Sequence, residues 1–196
     1  MKTTITRAEQ KEITRQRLIE AATELFAEQG IMATTTADIA KAIKMSHGSV
    51  FLHFPTRDDL VNAVIDEFGK RLSIEFKDAF NNNRGLSHVL KAHLQILQEF
   101  EDFYARLVIE SPLLSLKVRG TLFTLQSGIS HEIFTAAMRE IKQGQIRNIK
   151  RHLLFNTWIS LIHYYLANKD LFAPNKSVIA EKGNELLRHY LSLIKK

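Results

Sequence analysis

Three closely spaced helix starts constrain the fold of this chain more than any other feature of its sequence. Thr35 is followed three residues later by Asp38, and Thr56 is followed in the same way by Asp59. In such a pair the hydroxyl accepts a hydrogen bond from an amide of the first turn, and the carboxylate reaches back to the capping residue. Ser46 is a further capping residue between them. The spacing predicts two helices of about two turns, a tight turn between them, and a third helix.

The apolar residues of the first short helix follow helical spacing. Ile39, Ala40 and Ile43 fall on one stripe, which leaves Ala37 and Lys44 toward solvent. One face of this helix is therefore expected to pack on the core while the other stays free.

The second short helix is expected to present its first turn to a partner. Val50 and Phe54, four residues apart, hold it on the core, and the following proline ends it. His47, Gly48 and Ser49 form the first turn, where backbone amides and side chains point outward past the helix end. Two short helices joined by a tight turn are typical of units that place the second helix in the major groove of DNA. We therefore expect these three residues to face DNA.

Positive charge supports DNA binding by its placement and not by its amount. Residues 1–60 contain eight Lys and Arg and eight Asp and Glu, so the whole net charge of +6 lies in the remainder of the chain. Arg57 stands in the first turn of the third helix, where the macrodipole favours acids, so its position indicates an external anion such as a phosphate. Arg15 and Arg17 are expected to contact phosphate from the start of the first helix. Lys2 and Arg7 belong either to an arm that reaches a groove or to a solvated tail.

These residues together resemble the N-terminal domain of TetR-family transcription regulators. The resemblance covers about a quarter of the chain and ends near Phe68, beyond which only length and helical layout are similar. The matching positions are Gly30, Thr34, Thr35, Thr36, Asp38, Ile39, Ala40, Ser46, Gly48, Ser49, Val50, Phe51, His53, Phe54, Pro55, Thr56, Arg57, Asp58, Asp59 and Leu60.

The resemblance implies that hydroxyl, imidazole and guanidinium groups of this unit contact DNA phosphates, and that three residues at the starts of its two short helices face base edges. Phe51 departs from the family pattern because a tyrosine is common there. Lys44 departs because the turn usually has glycine, at a position of possible positive φ. Lys44 either adds a phosphate contact or remains a solvated turn residue. The expected phosphate contacts are Thr36, Ser49, His53 and Arg57, the expected base contacts are Ala37, His47 and Gly48, and Thr35, Lys44, Ser46 and Phe51 complete the DNA-binding set.

The remainder of the chain is helical by its apolar periodicity, with helices expected at about 57–80, 86–110, 121–143, 152–167 and 179–194 and a loop at 81–85. The sequence thus predicts an all-α protein. We expect a three-helix DNA-binding domain at residues 1–56, a connecting helix at 57–80, and a larger helical ligand-binding and dimerisation domain at 81–196.

The last two long helices have apolar faces that are wider than one packing contact needs. Residues 152–167 are apolar nearly all round, and Gly183 would allow close approach of a neighbouring helix. Such a pair predicts a four-helix interface across a two-fold axis, as the family resemblance also implies; the alternative is ordinary internal core. The expected dimer residues are Phe155, Ile159, Ile162, Gly183, Leu187, Tyr190 and Leu191.

Aromatic residues in the second domain predict a cavity for an apolar or aromatic effector, although most of them are also suited to an ordinary core. The candidate ligand-binding residues are Phe100, Phe103, Tyr104, Phe123, Phe134 and Trp158. Five histidines are scattered through this domain, at positions 88, 93, 131, 152 and 163. We interpret them as polar helix residues or hydrogen-bonded core histidines in preference to metal ligands.

The sequence contains no signature of an enzyme. It has no cysteine, no Gly-x-Gly and no Gly-x-Ser-x-Gly, and its histidines and glutamates lack metal-binding spacing. We therefore expect no catalytic residues, no metal and no cofactor. No apolar run is long enough to span a membrane, and the first residues lack a signal-peptide core, so we expect a cytoplasmic protein.

The favoured hypothesis is a homodimeric transcription regulator, more specifically a repressor released from a palindromic DNA operator by a small-molecule effector. One alternative is a helical ligand-binding or enzymatic bundle whose N-terminal motif is vestigial. A second alternative is an adaptor that uses its basic face to bind another protein.

Overall fold

A computed structural model of the chain describes residues 6–81 and 85–196. Within these ranges the protein consists of helices and their connections, without a β-strand, as the sequence predicts. Lys2 of the proposed arm and the central residues of the 81–85 loop, 82–84, lie outside the described residues. The helices are α1 Arg7–Gln29, α2 Thr36–Ala42, α3 His47–Phe51, α4 Arg57–Asn81, α5 Leu86–Glu99, α6 Glu101–Glu110, α7 Leu116–Lys142, α8 Arg151–Ala167, α9 Lys169–Phe172 and α10 Val178–Ile194.

Helix α1 is longer than the sequence analysis expected. Its first residue is Arg7, because Thr6 and Glu9 form a capping box: Thr6 N donates to Glu9 at 2.7 Å and Glu9 N donates to Thr6 at 3.2 Å. Leu18 and Phe26 are fully buried, and the Phe26 ring stacks on Phe103 of α6. Gly30 ends the helix at φ 95°, and its amide donates to the Phe26 carbonyl.

Helix α4 connects the N-terminal three helices to the rest of the molecule. It packs against α1 at its start and against α5 and α7 along its length. Its apolar stripe is buried at four-residue steps, as expected, through Leu60, Val64, Phe68, Leu72 and Phe76. The helix is thus one rigid element with contacts in both halves of the chain.

Two boundaries in the C-terminal half differ from the predicted ones. The helix expected at 86–110 ends at Glu99 and restarts at Glu101, since Phe100 leaves helical geometry at φ −108° and ψ 18°. The following helix begins at Leu116, five residues before the expected start, because Ser115 accepts a hydrogen bond from the Val118 amide. The short helix α9 was not anticipated.

Helices α8 and α10 supply the centre of the C-terminal core. Trp158, Ile162 and Tyr190 are fully buried within the single chain, and Phe155, Ile159, Gly183 and Leu187 are also buried there. A side chain added at Gly183 would meet Leu94 of α5 and Ile179 of its own helix. The close approach that this glycine permits is therefore intramolecular. Six of the seven expected dimer residues are buried in the single chain and Leu191 is partly exposed, and their place in a dimer face stays a prediction.

Candidate nucleic-acid interface

The α2 start has the capping geometry that the sequence predicts. Thr35 N donates to Asp38 Oδ2 at 2.9 Å, and Asp38 N donates to Thr35 Oγ1 at 3.2 Å. Hydrogen bonds from Thr35 lower the pKa of the Asp38 carboxyl. Ile39 and Ala40 are buried while Ala37 and Lys44 are exposed. The outer face of α2 is therefore free for a partner.

The turn between α2 and α3 places a lysine in a conformation that favours glycine. Lys44 has φ 57°, so the expectation of a positive φ at this position is confirmed. Its amide donates to the Lys41 carbonyl at 3.1 Å, and the Met45 amide donates to the Ala40 carbonyl at 2.9 Å. The turn is thus closed by backbone hydrogen bonds, and the Lys44 ammonium is left at the surface.

The first turn of α3 is exposed and locally held. Ser46 accepts from the Ser49 amide at 3.2 Å, which confirms the predicted cap. The His47 ring is fixed from two sides: its Nε2 lies 2.8 Å from Thr36 Oγ1, and its centroid lies 5.0 Å from that of Phe51. Thr36 is itself buried, so its contact with His47 couples the two helices.

Gly48 and the end of α3 complete the exposed face. A side chain added at Gly48 would meet nothing within 4 Å, so the backbone there is open to a close partner. Phe51 is 42% exposed and Leu52 is 76% exposed. Leu52 was not selected from the sequence, where a leucine near the end of the helix gave no sign that it would face outward.

A positive cluster borders α3 where it meets the start of α1. The pKa of His53 is lowered. Burial is the largest cause, and the nearby charges of Lys11 and Arg15 lower the pKa further. His53 Nδ1 is buried without a hydrogen-bond partner among the described residues. The Arg15 guanidinium lies 5.0 Å from the centroid of the Phe54 ring. The cluster suits an anion, because adjacent cations favour negative charge.

Arg57 is engaged inside the protein. Its Nε donates to the Thr34 carbonyl at 3.0 Å, its Nη2 donates to the Ile31 carbonyl, and its guanidinium lies 6.0 Å from the Phe26 ring centroid. The cation in the first turn of α4 thus stabilises the loop between α1 and α2. A phosphate contact by Arg57 stays a prediction, and the internal hydrogen bonds reduce the need for one.

Four side chains of the C-terminal half hold the N-terminal domain in place. Arg106 on α6 donates to the Ala27 and Glu28 carbonyls at the end of α1, at 3.4 and 3.2 Å. Glu110 accepts from the Met32 amide at 2.6 Å. At the start of α4, Ser115 donates to Asp58 at 2.6 Å and Lys117 pairs with Asp59 at 2.5 Å. No sequence pattern pointed to these contacts, which join residues 57 to 79 positions apart.

The six aromatic residues expected to line one effector cavity do not share one: Phe100 and Phe103 line a cavity of about 670 Å³, and Phe123 lines a different one. Phe103, Tyr104 and Trp158 are fully buried, whereas Phe123 is 74% exposed. Phe100 and Phe134 are partly buried, and the Phe100 ring lies 5.4 Å from the Phe68 ring as part of ordinary packing. A groove of about 1110 Å³ lies instead between α4 and α7, and none of the six lines it.

Two core histidines are hydrogen-bonded to aromatic side chains. Trp158 Nε1 donates to His93 Nδ1 at 3.0 Å, and Tyr104 Oη lies 3.1 Å from His163 Nε2. Burial lowers the pKa of His93 to about 3 and that of His163 to about 4, and burial raises the pKa of Tyr104 to about 12. The interpretation of these two histidines as hydrogen-bonded core residues is confirmed. Within residues 6–81 and 85–196 no group of three or more His, Asp or Glu is arranged to hold a metal ion.

A search for membrane spans covered the same described ranges and found no helix with the length and apolar character needed.

Known proteins with a similar sequence are DNA-binding regulators by name. Residues 18–64 match the family model of bacterial regulatory proteins, tetR family. An HTH-type transcriptional repressor of Mycobacterium tuberculosis is 52% identical over 56 residues, which are 29% of this chain and 30% of that protein. The match thus spans less than a third of that relative. The fatty acid metabolism regulator protein of Bacillus subtilis is 24% identical over 174 residues, covering 83% of this chain and 90% of that protein.

Solved structures share the whole fold. A TetR-family transcriptional regulator from Agrobacterium tumefaciens superposes with a TM-score of 0.77 at 16% identity, covering 95% of this chain and 100% of that one. The TetR-family regulator PfmR from Thermus thermophilus gives a TM-score of 0.72 at 23% identity, covering 91% and 97%. At these identities the likeness establishes the fold alone.

Proposed function

Because residues 18–64 of this chain match the family model of bacterial regulatory proteins, tetR family, we propose that the protein is a transcription regulator that binds an operator as a homodimer. The observation that carries the proposal is the exposed first turn of α3. His47 is held there by α2, and Gly48 leaves the backbone open to a close partner. A helix presented in this way suits the major groove, and two subunits would read half-sites about 34–36 Å apart or a multiple of that distance.

Repression with release by a small molecule is the regulatory mode that we propose. Relatives that bear the name repressor support it. Arg106, Glu110 and Lys117 connect α6 and α7 to the DNA-binding domain, so a shift of these helices would move α3. A coupling of about 1–3 kcal/mol would change operator affinity about 5- to 150-fold. As a regulator of chromosomal DNA, the protein would act in the cytoplasm.

The dimer face that we propose is the exposed stripe of α8. Leu153, Thr157, Ser160 and Tyr164 follow at steps of three and four residues and are all exposed, with Leu153 and Tyr164 at 51% and 60%. A Ser160→Arg substitution in the middle of the stripe should give a monomeric mass in sedimentation equilibrium. A dimeric mass in both the variant and the unaltered protein would refute this face.

Selection of bound sequences from a random duplex pool tests the function directly. An inverted repeat bound by two subunits is the expected result. The selected operator is then titrated at two salt concentrations. Salt-sensitive binding without sequence preference would contradict the proposal, as would turnover of a substrate by a protein that fails to retain DNA at low salt.

Paired variants separate the two kinds of DNA contact. Lys11→Ala, in the cluster beside His53, should weaken binding to all sequences and lower the salt slope by about one. His47→Ala should instead change the selected sequence. Lys91→Ala, on the exposed face of α5, is the control and should alter neither. Equal effects of the first two variants would remove the distinction between phosphate and base contacts.

A further inference from the structure

The core of the C-terminal domain contains a buried hydrogen-bond donor that the fold leaves unused. His93 is fully buried, and its Nδ1 accepts a hydrogen bond from Trp158 Nε1 at 3.0 Å. An indole nitrogen only donates, so the neutral imidazole must carry its proton on Nε2. Among the residues that the structure describes, His93 Nε2 has no hydrogen-bond partner. The Nε2–H group therefore faces away from Trp158 and lacks an acceptor.

The surroundings of this donor select the chemistry of an acceptor. The rings of Phe76 and Trp158 lie 6.4 and 6.3 Å from the His93 ring, centroid to centroid. In the described part of the chain no lysine or arginine is fully buried, and the buried Glu101 is already engaged by the start of α10. A carboxylate at His93 would be buried without a cation, which is costly. An uncharged oxygen acceptor, such as a carbonyl, satisfies the donor without that cost.

The groove between α4 and α7 borders the surroundings of His93 through one shared side chain. Its volume is about 1110 Å³, and apolar side chains, including Leu72, Phe76 and Ile129, form part of its lining. Gly69 and Gly128 also line the groove, and neither has a side chain that would fill it. Phe76 is 4% exposed and is common to both environments, since it lines the groove and also neighbours His93. A ligand in the groove therefore lies one side chain away from the His93 ring.

We propose that the groove and His93 form the effector site, for an uncharged, mainly apolar molecule whose carbonyl oxygen accepts the hydrogen bond of His93 Nε2–H after the Phe76 ring turns aside. This inference rests on the proposed function, because only a regulator has an effector. Binding at the groove would press on α4 and α7, the two helices whose first turns meet through Lys117 and Asp59.

A matched pair of small probes tests the chemistry. Cyclohexyl methyl ketone and isopropylcyclohexane have the same number of non-hydrogen atoms and differ in the carbonyl oxygen. Each is titrated into the uniformly ¹⁵N-labelled full-length protein, and the His93 Nε2–H resonance is followed by NMR. Fluorescence of Trp158, the one tryptophan in the sequence, gives a second readout on the partner of His93. The ketone should shift the Nε2–H resonance in a saturable way and bind about tenfold more tightly than the hydrocarbon.

His93→Asn isolates the donor. An asparagine amide oxygen can take the place of Nδ1 as acceptor for Trp158, but the residue has no group at the position of Nε2. In this variant the preference for the ketone should fall to about one while hydrocarbon affinity stays the same. The matched control is His88→Asn, on the exposed face of the same helix, which should keep the tenfold preference.

Each result of these titrations either supports or overturns the proposed site. A ketone that leaves the Nε2–H resonance unchanged, or a preference that persists in His93→Asn, overturns the proposed site; an ordered water on Nε2 would give the first of these results. If His93→Asn fails to fold, a ketone shift of the wild-type resonance that isopropylcyclohexane does not cause still supports the site. Operator binding without probe is measured in parallel. Its failure would count against the regulator, whereas failure of the ketone alone would leave the regulator in place.

Discussion

The N-terminal helices and the C-terminal core satisfy their polar groups in different ways. Around α2 and α3 the side chain and the amide that it caps are three residues apart, as in Thr35 with Asp38. In the core the partners are distant along the chain: 65 residues separate His93 from Trp158, and 77 separate Glu101 from Val178. Local hydrogen bonds form as soon as a helix begins, whereas distant ones require the whole core to assemble. Damage to the first kind should therefore be mild and local, and damage to the second should affect global stability.

Acid should produce the largest difference between the two regions. The pKa of His93 is about 3 and that of His163 about 4 in the folded protein, against about 6.5 when unfolded. Above pH 6.5 both states are neutral and these groups do not affect stability. Below it the unfolded chain binds more protons, so the free energy of unfolding falls by about 1.4 kcal/mol per pH unit for each histidine until the folded pKa is reached. Urea unfolding between pH 7 and pH 5 measures the slope.

A double substitution provides the reference for that slope. Replacing both histidines, as His93→Asn with His163→Gln, should flatten the pH dependence even if the protein becomes less stable at pH 7. An unchanged slope would show that other groups cause the acid sensitivity.

Removal of the buried carboxylate Glu101 should cause the next largest loss. Glu101 accepts from the Val178 and Ile179 amides at 2.7 and 3.1 Å and from the Ser177 hydroxyl. In Glu101→Ala these buried donors lose their acceptor, and the free energy of unfolding should fall by about 3 kcal/mol. The control is Asp102→Ala, whose partner Lys169 is exposed, with an expected effect of about 0.5 kcal/mol or less. Equal urea midpoints for the two variants would contradict the long-range role of Glu101.

Loss of a local cap should be smaller. In Thr35→Ala the Asp38 amide loses its acceptor, and stability should fall by about 1 kcal/mol. Thr124→Ala, at an exposed position within α7, is the control and should change stability by less. Hydrogen exchange should show faster opening of α2 in Thr35→Ala and an unaffected α8. Faster exchange throughout both halves would erase the distinction between local and global polar contacts.

Lys44→Gly should have the smallest effect on stability, and it should stabilise the protein whereas the preceding substitutions destabilise it. Glycine relieves the strain of φ 57° but gives the unfolded chain more freedom, so the net gain should be about 0.5 kcal/mol. Asn175→Gly, at φ 59°, is the control and should gain less, since asparagine tolerates this conformation. Operator affinity should nevertheless fall in Lys44→Gly and become less salt-dependent if Lys44 contacts phosphate. Unchanged affinity would leave Lys44 as a solvated turn residue.

Much of the N-terminal structure was predictable because its signals are short. The caps at Thr35, Ser46 and Thr56 and the positive φ at Lys44 were all anticipated correctly. The Thr6 and Glu9 pair that starts α1 is an equally short signal. The break at Phe100 lies within an apolar run that periodicity reads as one continuous helix, and no glycine or proline marks it.

The C-terminal sites were less predictable because apolar residues look alike in sequence. Phe103 and Phe123 were equal candidates for the effector cavity, yet one is buried against Phe26 and the other is exposed on α7. Tyr190 was expected at a dimer face, and its hydroxyl instead donates to the Leu154 carbonyl at 2.7 Å inside the chain. Periodicity states that a face is apolar but not which neighbour covers it.

The sequence by itself determined the helical class, the capped turn that presents α3, and the side of α2 left to solvent, because hydrogen bonds over three or four residues depend only on local backbone geometry. Only the tertiary structure decided that Arg57 supports the α1–α2 loop, that α6 and α7 contact the end of α1 and the start of α4, and that the buried His93 Nε2 has no hydrogen-bond partner among the described residues. Those features depend on side chains brought together by core packing from positions that no repeat or spacing relates.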